Sequence, residues 1–202
     1  MIIIPEKIIN NISGKVVIKL EDDQNTDDII PARYLKEITF KNMGEYVYYD
    51  ERFKNGELVK DHPFNKYKGA NILVAGANYG CGSSREHAPQ ALHRWGIKAI
   101  IAESFAEIFA GNCASLGVVG ITVSHPDILK LANALKEDIL LNIDIDKKTI
   151  KYNGNVIEFE IPEGRRQAFL NGIWDAMAIL QQNKEGIKKV LEKLDYLRFN
   201  GK

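Results

Sequence analysis

Cysteine is almost missing from this chain: two among 202 residues, Cys81 and Cys113. Neither belongs to a CxxC pair, so no zinc or iron–sulfur site built by this chain alone is expected. A structural disulfide is not expected either, because the remaining features are cytosolic. A charge imbalance is missing too. Lys+Arg and Asp+Glu stand at 27 each, so no global field draws nucleic acid or an anionic membrane. There is no apolar run of about 18 residues and no charged-then-apolar leader, so neither a membrane span nor export is expected. The setting reads as cytoplasmic. No internal repeat, low-complexity segment or clear linker breaks the chain, and residues 1–202 read as a single domain.

What is present is a regular alternation from Lys68 onward. Asn71–Ala75 (NILVA) reads as a buried strand, and HAPQALHRWG reads as a helix ending at Gly96. Lys98–Ala102 is a second strand, Phe105–Leu116 a second helix stopped by Gly117, and Val118–Val123 a third strand. This βαβαβ run predicts a mostly parallel sheet with helices packed on it. A helix from His125 to about Leu135 follows. Strands at Leu140–Ile145, Thr149–Tyr152 and Val156–Ile161 come next, with Asn153-Gly154 as a hairpin turn. One helix is expected over Arg166–Gln181. Upstream, Gly14–Leu20 reads as a strand. Residues 36–68 read as mostly irregular, with one helix near Glu45–Phe53. A helical tail over about 185–199 spaces Ile187, Val190, Leu191 and Leu194 on one face, which is expected to pack on the body.

The most informative stretch joins the first of those strands to its helix: Gly76-Ala77-Asn78-Tyr79-Gly80-Cys81-Gly82-Ser83-Ser84-Arg85-Glu86-His87-Ala88. Glycines punctuate the turn, and two hydroxyls and a guanidinium stand near the helix start, where unpaired N–H groups favour anions. An arginine there can grip a carboxylate through two parallel hydrogen bonds. The structural alternative is a capping box, Ser83 with Glu86. Three catalytic lookalikes fail. The dinucleotide fingerprint needs a glycine where Arg85 stands, the P-loop needs Gly-Lys-Ser/Thr, and the nucleophile elbow needs a glycine two residues after its serine. Asp23, Asn25 and Asp27 open like a calcium loop, but Asp28 and Tyr34 occupy positions that need glycine and glutamate. Cys81 with His87 is a weak nucleophile pair. His62, His93 and His125 read as solvated or locally paired.

The signature turn resembles that of the aconitase superfamily, in its swivelling small domain. In free-standing form that domain is the small subunit of 3-isopropylmalate dehydratases. Three further blocks agree in order: Asn25–Leu35 (NTDDIIPARYL), Glu103–Phe109 continuing to Asn112, and the weaker Phe169–Asp175. The resemblance implies an α/β fold of β/β/α architecture. It implies a dehydration followed by rehydration on the neighbouring carbon, interconverting 2- and 3-isopropylmalate in leucine biosynthesis. Homoaconitase and dimethylmalate dehydratase small subunits are alternatives, and so is a non-catalytic anion-binding or regulatory module.

By the same resemblance Ser83 is the catalytic base. Ser84, Arg85 and Asp27 bind the hydroxy-acid substrate, and Glu86 and His87 support them from behind. The family's 4Fe-4S cluster needs three cysteines, so it is expected on a separate large subunit, with no cofactor or metal on this chain. Tyr34, Leu35 and Lys36 form the specificity loop. Aconitase itself places an arginine shortly after the corresponding aromatic-leucine pair, whereas here Lys36-Glu37 follows and no arginine appears until Arg52. That argues against citrate and suits an apolar side group. Homoaconitase-type small subunits carry an arginine where Lys36 stands, and a lysine can still meet a carboxylate as a point charge.

Overall fold

The computed structural model describes residues 7–37, 39–83, 85–134 and 140–194. Strands β1 (Asn11–Gly14) and β2 (Val16–Lys19) feed different sheets. A short helix α1 (Thr26–Ile29), a 3-10 turn Ala32–Lys36 and a second 3-10 turn Met43–Tyr46 follow. Then come α2 (Tyr49–Arg52), the ribbon β3 (Phe53–Lys54) with β4 (Glu57–Leu58), and α3 (Pro63–Lys66). The single helix expected near Glu45–Phe53 is therefore two short pieces. Tyr48 divides them, because its backbone is left-handed at φ 48° and ψ 37°.

The next elements alternate as expected: β5 (Ile72–Ala75), α4 (His87–Trp95), β6 (Ala99–Ala102), α5 (Glu107–Ser115) and β7 (Val119–Thr122). Helix α6 (His125–Ala134) leads to β8 (Leu141–Asp144), β9 (Thr149–Tyr152) and β10 (Asn155–Glu158). Asn153 and Gly154 turn that hairpin with φ of 43° and 77°, the conformation a two-residue primed turn demands.

Two four-stranded sheets result. One is parallel, in the order β2-β5-β6-β7; the other is antiparallel, in the order β1-β8-β9-β10. Every residue of β5 and β6 is buried, as strands covered on both faces must be. Alternation along β5 divides them. Ile72 and Val74 face a core shared with Leu141, Ile143, Ile150 and Ile157 of the antiparallel sheet. Leu73 and Ala75 face a second core with Ala88, Ala91 and Leu92 of α4 and Phe109 of α5. The layers are sheet, sheet and helices, the β/β/α order expected. Each fully buried Leu, Ile or Phe contributes about 1.5–3 kcal/mol to that packing.

The C-terminal reading needs two corrections. The helix expected over Arg166–Gln181 is α7 (Glu163–Leu170) and α8 (Ala176–Gln182). Gly172 stops α7 with φ 66°, and the Asp175 side chain caps α8 by accepting from the Ala178 N–H at 2.9 Å. Between them the Trp174 indole donates to the Lys7 carbonyl. The tail helix α9 (Lys184–Lys193) forms, but its apolar face is not packed on the body: Ile187, Val190 and Leu191 are 43%, 53% and 44% exposed. Residues 195–199 of the expected tail lie outside the described residues.

Candidate active site

The loops that leave the carboxyl ends of β2, β5 and β6 meet, which is where open parallel sheets bind ligands. Two parallel bridges extend the strand pairing into them, Asn25 with Cys81 and Tyr79 with Phe105. The Gly80 N–H donates to the Gln24 carbonyl at 2.8 Å, and the Thr26 N–H to the Cys81 carbonyl at 3.0 Å. The Asn78 N–H donates to Ser104 Oγ at 2.8 Å, and its side-chain amide donates to Asp23 Oδ1 at 2.7 Å. Three sequence blocks far apart in the chain thus become one surface. The fourth is elsewhere. Trp174 packs over Gly117 in a cleft of about 450 Å³ with Asn71 and Lys98, at the amino ends of the same strands.

Ser83 follows Gly82, whose φ of 86° is left-handed. The buried Thr26 hydroxyl donates to the Ser83 carbonyl at 2.8 Å, and the Arg85 N–H donates to the same carbonyl at 2.7 Å. The Ser83 backbone is held twice, while its residue stays exposed. The capping-box alternative does not form. Helix α4 begins only at His87, and Glu86 at its N-cap makes no side-chain capping bond. Glu86 instead accepts from the Gln90 amide at 2.9 Å. A capping box does exist on the neighbouring segment. Asn25 Oδ1 accepts from the Asp27 and Asp28 N–H groups, and the Asp28 carboxylate accepts from the Asn25 N–H. That box opens α1, the helix that carries Asp27, and the Thr26 hydroxyl bond ties this helix to the serine turn. Both segments carry the spacing, and among the two only Asn25 with Asp28 uses it.

Asp27 and Arg85 are exposed, and among the described residues neither side chain has an ion-pair partner. Ser84 lies outside the described residues. His87 opens α4 with its ring edge-on to Phe40, centroids 5.4 Å apart. Its buried Nδ1 has no hydrogen-bond partner among the described residues. Tyr34, Leu35 and Lys36 occupy the 3-10 turn just after α1, and Lys36 is exposed. Arg52 is no substitute for a substrate arginine. It is buried, and its Nε donates to Asn65 Oδ1 at 2.8 Å while Nη1 donates to the Glu45 and Val47 carbonyls.

Tyr48 had no sequence signal. Its N–H donates to the Ile29 carbonyl at 2.8 Å, and its hydroxyl lies 2.7 Å from that of Tyr79. Both rings are fully buried, and burial pushes both phenols up, so they stay protonated. This residue bolts the end of α1 to the signature turn. The left-handed backbone that allows it costs about 1–2 kcal/mol.

The two thiols do not suit a cluster. Cys113 is buried in α5 with its thiol pushed up by burial. Cys81 donates to the Asp23 carbonyl at 3.1 Å. Burial and Asp23 raise its thiol, the reverse of an activated nucleophile. Among the described residues no three His, Cys, Asp or Glu side chains gather as a metal site.

Comparison with known proteins decides the lineage. A model of the aconitase C-terminal domain matches residues 6–126. The chain belongs to that family. The matched span includes the Asp27, Ser83 and Glu103 blocks and excludes the fourth. Within the aconitase family, this chain is similar to proteins named 3-isopropylmalate dehydratase small subunit. The one from Synechocystis is 43% identical over 195 residues, covering 95% of this chain and 96% of its own length. One from Thermus thermophilus is 40% identical over 191 residues, covering 93% and 95%. The crystal structure of 3-isopropylmalate dehydratase from Methanocaldococcus jannaschii superposes with a TM-score of 0.64 at 30% identity, covering 86% of this chain and 99% of its own.

Proposed function

We propose that this chain is the small subunit of a 3-isopropylmalate dehydratase, a hydro-lyase that interconverts 2- and 3-isopropylmalate by dehydration and rehydration, here in the cytoplasm. The carrying observation is the junction of the Asp27, Ser83 and Ser104 loops at one end of the parallel sheet. Relatives with that name, matched over nearly their whole length, support the substrate. Residues 1–202 act as one domain. Among the described residues, no helix is long and apolar enough to cross a membrane.

In this reading Ser83 Oγ takes the proton from the carbon beside a substrate carboxylate and returns it on rehydration. The neighbouring carboxylate spreads the charge left on carbon, and the hydroxyl on the adjacent carbon leaves as hydroxide to form the double bond of the unsaturated acid, a departure that a Lewis acid on the partner would assist. Arg85, with Ser84, holds a carboxylate through charge-assisted hydrogen bonds. The exposed Asp27 faces the substrate hydroxyl or the arginine. Glu86 and His87 set the start of α4 behind them. The family resemblance assigns a 4Fe-4S cluster to a separate large subunit, because the cluster needs three cysteines and this chain has two.

The test is anaerobic mixing with a cluster-bearing large subunit. Neither chain alone should act, and the mixture should convert 3-isopropylmalate to 2-isopropylmalate through the unsaturated acid. Activity of the isolated chain overturns the reading. So does a complex preferring citrate or homocitrate by about tenfold or more in kcat/KM.

Arg85 carries its own expectation in that complex. Arg85→Lys keeps the charge and loses the planar fork. It should lower kcat/KM by about 30-fold, on the order of 2 kcal/mol, with little change in Tm because the side chain is exposed. Unchanged kinetics would put Arg85 away from the substrate.

A further inference from the structure

The 3-10 turn after α1 carries an arginine of its own, Arg33, one residue before the specificity loop. Its end-on fork is already held by a carboxylate. Nη1 donates to Asp50 Oδ2 at 2.9 Å and Nη2 donates to Oδ1. The guanidinium lies over the rings of Tyr34 and Tyr49, 4.7 and 5.6 Å from their centroids. Tyr34 in turn stacks on Tyr46, with centroids 4.0 Å apart and planes within 5°. Arg33 is therefore fixed in direction by a carboxylate and two aromatic faces. The two side chains remain 52% and 60% exposed, and an exposed pair contributes only about 0–1 kcal/mol to stability. Stability alone is a weak reason for the arrangement.

Placement gives a better one. The turn starts just after the helix that carries Asp27, and Phe40 beyond it touches His87. Asp50 sits on α2, which begins directly after the Tyr48 bolt. An added carboxylate on a substrate would need a guanidinium with two open donors. In Arg33 the end-on pair of donors is taken by Asp50, whose charge neutralises the guanidinium and repels such a group.

We propose that Asp50 is a positioning residue for substrate choice: by occupying the fork of Arg33 it withholds a guanidinium from the specificity loop, favouring substrates whose third substituent is apolar. The inference rests on the dehydratase reading above and on Tyr34–Lys36 facing the substrate.

The experiment compares kcat/KM for 3-isopropylmalate and for cis-homoaconitate in the reconstituted complex. Asp50→Ala should raise the ratio of tricarboxylate to isopropylmalate by about tenfold or more. Adding Arg33→Ala should bring the ratio back to within about threefold of wild type, because the freed guanidinium is then gone. Asp50→Glu, which keeps the pair, should behave as wild type. If Asp50→Ala fails to assemble, Asp50→Asn gives the same comparison with the volume preserved. A merely structural Asp50 would lower both substrates alike and leave the ratio unchanged; that result overturns the inference alone. A wild-type complex inactive on 3-isopropylmalate overturns the dehydratase reading and this inference with it.

Discussion

Ser83→Ala is expected to leave folding and assembly intact and to lower kcat by about 100- to 10,000-fold, the usual cost of removing a general base. The two halves of this expectation have separate grounds. The residue is exposed, and what the structure holds is its carbonyl, bonded by the Thr26 hydroxyl and the Arg85 N–H. Both bonds survive the substitution, so Tm should move by no more than a degree or two, in line with surface changes of about 0.5 kcal/mol. Among the described residues the hydroxyl has no hydrogen-bond partner, so its loss should appear in turnover alone. The measurement is steady-state kinetics on the reconstituted complex, with iron content checked. Turnover within about threefold of wild type would remove Ser83 as base. Cys81 would be a poor successor, since burial and Asp23 hold its thiol up.

Gly80→Ala should have the opposite signature, a failure of the fold before any failure of chemistry. Gly80 has φ 79°, and a Cβ there would sit 2.1 Å from Phe109 Cγ. Phe109 projects from α5 into the core against Tyr79 of the signature turn and is buried, so the ring has nowhere to go. Overpacking costs about 1–3 kcal/mol and the left-handed backbone about 1–2 kcal/mol more. The expected loss is about 2–5 kcal/mol, read by denaturant unfolding. Gly154→Ala is the control. It has φ 77° and open space where the Cβ would go, so it should cost only about 1 kcal/mol. Equal losses at the two positions would show that backbone strain, not the Phe109 contact, makes Gly80 necessary.

Much of the architecture was legible because local periodicity and global packing agree. NILVA, the α4 pattern and Gly96 each gave the right element within a residue or two. The Asn153-Gly154 turn could take only one form. Where the sequence misled, a tertiary partner had decided. Asn171-Gly172 stops a helix that periodicity carried on, because Trp174 turns inward to Gly117 and Lys7. The apolar positions of α9 announced a packed helix, yet packing needs a surface that periodicity does not reveal. Tyr48 and the Arg33–Asp50 pair were illegible for the same reason. Each joins residues far apart in the chain, and their local sequence carries no mark of it.

The Thr26–Ser83 bond joins positions 57 apart in sequence, and this bears on the order of folding. Closing so long a loop costs entropy before its contacts repay it, and parallel pairing at that separation is slow. A nascent chain ending near residue 90 already holds Ser83 and Arg85. It still lacks β6 and the Phe109 ring that wedges Gly80. The chemical groups are thus made long before the frame that aims them. In refolding, helical signal should recover first, and competence to activate a large subunit should return only when the last strands of the parallel sheet have docked.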